Sequence, residues 1–153
     1  MKKILIVGYG QMREFVYESL LNSKYFDLYL LSDLEEDFTA KFFVQTFKAD
    51  LADFDVCKKL LSGLPIEFDY IVSFLEDRVL LAAELQKEFC VSELNVEGVN
   101  NSSVNKFVMR EKLASKSYSV QTIAVDVSSL KAFTRSLEGF IFPCVVKPNR
   151  GVN

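Results

Sequence analysis

Apolar residues in this chain fall into short runs whose period changes from one stretch to the next. Ile4-Leu-Ile-Val7 is continuous and ends at Gly8. A run without polar alternation predicts a strand buried on both faces. Met12, Phe15, Val16 and Leu20 then sit near helical spacing and predict an amphipathic helix over 11–22 with those side chains inward. Leu28–Leu31 is a second buried strand, ending at Ser32-Asp33, and residues 42–47 read as a third, less regular one. A helix follows over Asp53–Leu61, stopped by Gly63 and Pro65. Tyr70–Phe74 is the fourth strand and Arg78–Phe89 the helix after it. Glu76 and Asp77 stand at that helix's start, where the backbone dipole favours negative charge. Strands alternating with helices at this spacing predict an α/β fold with a doubly wound parallel sheet.

The pattern changes near residue 98. Val96–Asn105 is rich in turn and capping residues. Beyond it come a basic helix over Lys106–Lys116, carrying Phe107, Val108 and Leu113, and a strand near Val120–Val125. A helix near Ser129–Leu137 with Leu130, Phe133 and Leu137 aligned precedes a final strand, Cys144–Lys147. Charge switches at the same place. Residues 1–97 hold ten Lys and Arg against eighteen Asp and Glu, a net of −8, whereas residues 98–153 hold eight against three, a net of +5. Two modules with different ligands are expected, 1–97 and 98–153. The basic module lacks interleaved stacking aromatics, so a compact phosphate ligand fits it better than nucleic acid.

Composition narrows the chemistry. No apolar run approaches the roughly 18 residues that a membrane span requires, and the run after Lys2-Lys3 is too short for a secretory signal. Cys57, Cys90 and Cys144 are odd in number and widely spaced, which suits free thiols in a reducing cytoplasm. Histidine is absent, removing Ser-His and Cys-His catalysis and imidazole metal ligation from these residues. Any metal would have to be held by carboxylates, which favours magnesium.

Three places could carry chemistry. Gly8-Tyr9-Gly10 forms a strand-to-helix turn that lets backbone approach a ligand. A dinucleotide fingerprint would have a small residue at position 13, where this chain has Arg13, which could instead add positive charge to an anion pocket. Asp33 sits where a ribose-binding acid would stand in a nicotinamide enzyme, and a plain tight turn in a scaffold domain is the competing reading. Ser73-Phe-Leu-Glu-Asp77 lies at the carboxyl end of strand four, where open parallel sheets bind ligands. Glu76 could meet a substrate there, or Ser73 or Glu76 could simply cap the helix. Lys106 and Lys147 are the third place. Alternation puts Lys147 on the face of Val145, where a lysine can also serve as an edge gatekeeper.

Taken together, several stretches resemble the opening of the ATP-grasp domain. They are Asn105-Lys-Phe-Val-Met-Arg-Glu-Lys-Leu113, Ser119-Val-Gln-Thr-Ile, Leu130-Lys-Ala-Phe and Phe142-Pro-Cys-Val-Val-Lys-Pro148. The module before them resembles the Rossmann-like pre-ATP-grasp domain, and Phe74-Leu-Glu-Asp77 is similar to ligases related to carnosine synthase and biotin carboxylase. The resemblance implies a Rossmann-like doubly wound sheet over 1–97, followed over 98–153 by the start of an α+β ATP-grasp subdomain. It also implies that Lys106 and Lys147 bind ATP, and that Gly8, Gly10 and Glu76 line the side where a carboxylate substrate approaches. Arg150 stands where the family has small residues.

The implied activity is ATP-dependent carboxylate–amine or –thiol ligation through an acyl phosphate. The remaining glycine-rich loop and the magnesium ligands are expected beyond Asn153, so a chain of these residues alone is expected to be inactive, with no catalytic residue to name. Two other readings stand beside it. One is a nicotinamide-binding oxidoreductase domain, motivated by Gly8, Gly10 and Asp33. The other is a non-catalytic half of a split ligase, completed by a second copy or by a complementing chain on the exposed last strand.

Overall fold

The computed structural model describes residues 1–34, 41–90, 96–99, 105–114, 121–125, 128–139 and 145–146. By contacts the chain divides into two compact units, Met1–Val99 and Asn100–Asn153.

The first unit is built on a parallel four-stranded sheet. Its strands are β1 (Lys2–Val7), β2 (Phe26–Ser32), β3 (Gln45–Lys48) and β4 (Tyr70–Val72), in the spatial order β3-β2-β1-β4. β1 pairs with β2 in the register Ile4↔Leu28 through Val7↔Leu31, and with β4 from Ile4↔Tyr70 to Ile6↔Val72. Helices α1 (Glu14–Asn22), α2 (Phe54–Ser62), α3 (Val79–Phe89) and the short α4 (Val96–Val99) complete the unit.

Both faces of the sheet are covered, which is why its central strands carry unbroken apolar runs. Leu5, Val7, Tyr29, Leu31, Phe47 and Ile71 pack with Cys57 and Leu61 of α2 and Leu81, Ala82 and Leu85 of α3. On the other face, Ile4, Ile6, Leu28 and Leu30 pack with Tyr17 of α1 and with Phe42 and Phe43. α2 begins at Asp53, whose carboxylate accepts from the N–H groups of Asp55 (2.9 Å) and Val56 (3.1 Å), satisfying donors that the helix itself leaves open.

Several local expectations need correction. The stretch 11–22 opens as a 3₁₀ turn, Gln11–Arg13, and becomes α-helical only at Glu14. Three residues per turn in place of 3.6 shifts the phase. Met12 and Phe15 are therefore 83% and 64% exposed, and Tyr17 is the helix's buried residue. The third strand starts at Gln45 rather than at residue 42, and Phe42 and Phe43 join the core from the preceding loop. β4 ends at Val72, two residues short of Phe74. Ser73 does not cap a helix. The turn Glu76–Arg78 has Leu75 at its cap, without a side-chain bond.

In the second unit, α5 (Lys106–Leu113) is capped by Asn105, whose side chain accepts from Val108 N–H at 3.1 Å. α6 (Leu130–Ser136) is capped by Ser129, which accepts from Ala132 N–H at 3.1 Å. Phe133 and Leu137 are half-buried, while Leu130 is exposed. Residues 121–125 and 145–146 carry no strand; Val120, Cys144 and Lys147, the other named ends of those two expected strands, lie outside the described residues.

Candidate functional site

The order β3-β2-β1-β4 has a consequence for ligand placement. β2 and β3 lie to one side of β1 and β4 lies on the other, so successive strands are added outward in opposite directions from β1, and the switch falls between β1 and β4. At such a switch point the connections leave their strands on opposite faces, opening a crevice at the carboxyl ends. The Gly8–Gly10 turn and the segment Ser73–Arg78 lie at the carboxyl ends of β1 and β4.

Gly8 takes a φ of 81°, in the left-handed region that favours glycine. Its N–H donates to Leu31 C=O at 2.8 Å, and the N–H of Gly10 donates to the Tyr17 hydroxyl at 3.2 Å. Ser73 Oγ donates to Val7 C=O at 2.7 Å and accepts from Leu75 N–H at 3.1 Å, fastening the loop after β4 to the end of β1. Leu75 thereby lies on the glycine turn. A methyl group placed on Gly8 would come within 2.9 Å of Leu75 Cδ1, and one on Gly10 within 2.8 Å of Leu75 Cδ2. Glu76 follows, exposed at the start of the 3₁₀ turn.

Arg78 was not singled out by the sequence, yet it joins several parts of this crest. Its Nη2 is 3.6 Å from Asp33 Oδ2, its Nε is 3.6 Å from Asp77 Oδ2, and Nη1 donates to Leu51 C=O at 3.4 Å. Its aliphatic stem covers Gly8, with Cγ 3.1 Å from where a methyl would stand. Asp33, the expected ribose acid of a nicotinamide site, thus faces a cation of its own chain. An arginine directly after two acids at a helix start was the available signal; its pairing with Asp33 was not visible without the sheet order.

Behind the turn, the Tyr9 hydroxyl donates to Glu14, whose other carboxylate oxygen accepts from Lys41 Nζ at 3.0 Å. Burial, followed by the bond to Glu14, pushes the Tyr9 phenol up to about 12. The bonds from Tyr9 and Lys41 hold the Glu14 carboxyl below its ordinary value. Tyr9 stacks on Tyr17 at 5.8 Å between ring centroids, and Tyr17 meets Phe42, Phe43 and Phe74. Burial raises the Tyr17 phenol, against the opposing effects of the Gly10 N–H and Arg13. Arg13 itself is exposed, at the end of the 3₁₀ turn.

The two lysines expected to bind nucleotide differ in what the structure describes of them. Lys106 is the first residue of α5, directly after the Asn105 cap, and is half-buried. Lys147, Arg150 and Gly151 lie outside the described residues. Among the described residues no group of three His, Cys, Asp or Glu side chains could hold a metal ion. Among the same residues, no helix is long and apolar enough to cross a membrane.

The chain has the fold of the amino-terminal part of ATP-grasp ligases. It superposes with a TM-score of 0.75 and 15% identity on N5-carboxyaminoimidazole ribonucleotide synthetase solved with ADP, covering 99% of this chain and 38% of that one. The L-amino acid ligase of Bacillus licheniformis gives 0.75 at 18% identity, over 99% and 38%. The N5-carboxyaminoimidazole ribonucleotide synthetase of Thermotoga maritima gives 0.67 at 22% identity, over 99% and 39%. The chain therefore spans less than two-fifths of the length of these ligases. No protein-family model matches the sequence, and no curated protein matches it.

Proposed function

We propose that this chain is the amino-terminal part of an ATP-dependent ligase that joins a carboxylate to an amine or thiol. The observation that carries the reading is the fold shared over 99% of the chain with two kinds of ligase, one of them solved with ADP. In the proposed reaction a carboxylate oxygen attacks the γ-phosphorus of ATP and ADP leaves. The amine or thiol then adds to the acyl carbon, and phosphate departs as the new bond forms.

Such chemistry depends on positioning and charge neutralisation and uses no histidine, in keeping with a chain that has none. Residues 1–97 would serve as the pre-ATP-grasp domain and 98–153 as the start of the ATP-grasp domain, a division supported by the contact boundary at Val99. Lys106 and Lys147 would neutralise ATP phosphates. Gly8, Gly10 and Glu76 would line the carboxylate side, in the crevice between β1 and β4. The free thiols of Cys57 and Cys90 suit a reducing, cytoplasmic setting.

The test is calorimetric titration of the 153-residue chain with ATP and, separately, NADH, with ADP release followed in parallel. The expected result is ATP binding weakened about tenfold by Lys106→Ala, the scale of one charge-assisted contact, with no ADP release and no NADH binding. ATP binding untouched by Lys106→Ala, or NADH binding abolished by Asp33→Ala, overturns the reading.

A further inference from the structure

We propose that the Gly8–Gly10 turn is a socket for Leu75, and that its glycines act by receiving this side chain and not by cradling a phosphate. A dinucleotide site at this position needs three things: unused N–H donors, bare backbone for the pyrophosphate to approach, and an acid free for the ribose. Here the N–H groups of the two glycines, their bare backbone and Asp33 are each engaged within the chain. The Gly8 N–H is bonded to Leu31 C=O and the Gly10 N–H to the Tyr17 hydroxyl, at 2.8 and 3.2 Å. The bare backbone is covered by the two methyl groups of Leu75, one over each glycine, and by the Arg78 stem over Gly8. Asp33 faces Arg78.

The socket also explains how the crest is held. Ser73 fixes the base of the loop to Val7 C=O, Leu75 seats its middle on the glycines, and Arg78 ties its end to Asp33 and Leu51. Glu76 lies between the two anchors Leu75 and Arg78, so its place at the mouth of the crevice depends on Leu75 being seated. Leu75 is thus a positioning residue for Glu76. The part played by Glu76 rests on the ligase reading; the socket does not.

A double-mutant cycle in the full chain separates the socket from a phosphate-cradling turn. Gly10 is the informative position, because its backbone does not need φ above zero. A methyl there makes Leu75 shift, so Gly10→Ala is expected to lower the folding equilibrium constant about fivefold, at the lower edge of overpacking effects. In a Leu75→Ala background that loss should vanish. Should Gly10→Ala fail to fold, recovery of folding in the double variant is the same positive result. Equal losses in both backgrounds, no loss in either, or a double variant that remains unfolded would each overturn the socket. NADH titration is the second arm: the unmodified chain should not bind it, and micromolar binding would show the turn open to phosphates. The double-mutant cycle reads folding alone, so there the socket can fail while the ligase reading stands, and the reverse.

Discussion

The guanidinium of Arg78 stands 3.6 Å from the carboxylate of Asp33, joining the start of α3 to the end of β2 across the carboxyl edge of the sheet. At that separation, and with both groups partly exposed, the ion pair itself contributes less than about 1 kcal/mol. The rest of the side chain matters more, because its stem packs over Gly8 and its Nη1 bonds Leu51 C=O.

The two halves of this contact should therefore separate on mutation. Arg78→Ala is expected to cost about 1–2 kcal/mol, since it removes packing, a hydrogen bond and the only partner Asp33 shows among the described ion pairs. Asp33→Asn should cost below about 1 kcal/mol. Urea denaturation of the two variants checks the order, and a larger loss in Asp33→Asn would contradict it.

Gly8 and Gly10 should respond differently to alanine. Gly8→Ala forces a Cβ into the left-handed region, at about 1–2 kcal/mol, in addition to the overlap with Leu75 and Arg78. Trimming Leu75 should therefore leave most of the Gly8→Ala loss in place. Denaturation midpoints in the Leu75→Ala background measure this.

The Tyr9–Glu14 bond predicts a pH profile with two shoulders. The Glu14 carboxyl is held below its ordinary 4.5, so its contribution is present above that value and is lost as pH falls through the folded value. The Tyr9 phenol is raised from 10 to about 12, so its contribution is complete below pH 10 and is lost as pH rises towards 12. Tyr9→Phe should reduce both shoulders, with the raised Tyr17 phenol keeping part of the alkaline one. Denaturation midpoints across pH, with phenolate absorbance as a site probe, report both.

Gln86 predicts a local effect at the edge of the sheet. Its Oε1 accepts from Ile71 N–H at 2.6 Å, so a side chain of α3 covers a donor of the edge strand β4. Ile71 is only 2% exposed, and an orphaned N–H there should cost about 1–3 kcal/mol in Gln86→Ala. Faster amide exchange at Ile71, restored in Gln86→Glu where the acceptor returns, is the expected signature.

Much of the sheet was legible because its signal is local. A strand buried on both faces must be apolar at every position, and Ile4–Val7 and Leu28–Leu31 advertise this without reference to any partner. Helix starts were legible for a related reason: Asp53, Asn105 and Ser129 bond backbone N–H groups two or three residues ahead. Phase inside a helix was harder to read. Met12 and Phe15 match the helical period, but the 3₁₀ turn before α1 rotates them outward and brings Tyr17 in.

Through Phe89 the sequence by itself determined the kind of elements, their order and the presence of a glycine turn at the end of β1, because these depend on neighbours a few residues apart. Only the tertiary structure decided what that turn contains. Leu75 meets Gly8 and Gly10, the Tyr17 hydroxyl meets the Gly10 N–H, and Arg78 meets Asp33, because β4 returns to the far side of β1 and sets its loop against the turn. Such pairings follow from strand order and crossover, and residue spacing along the chain carries no trace of them.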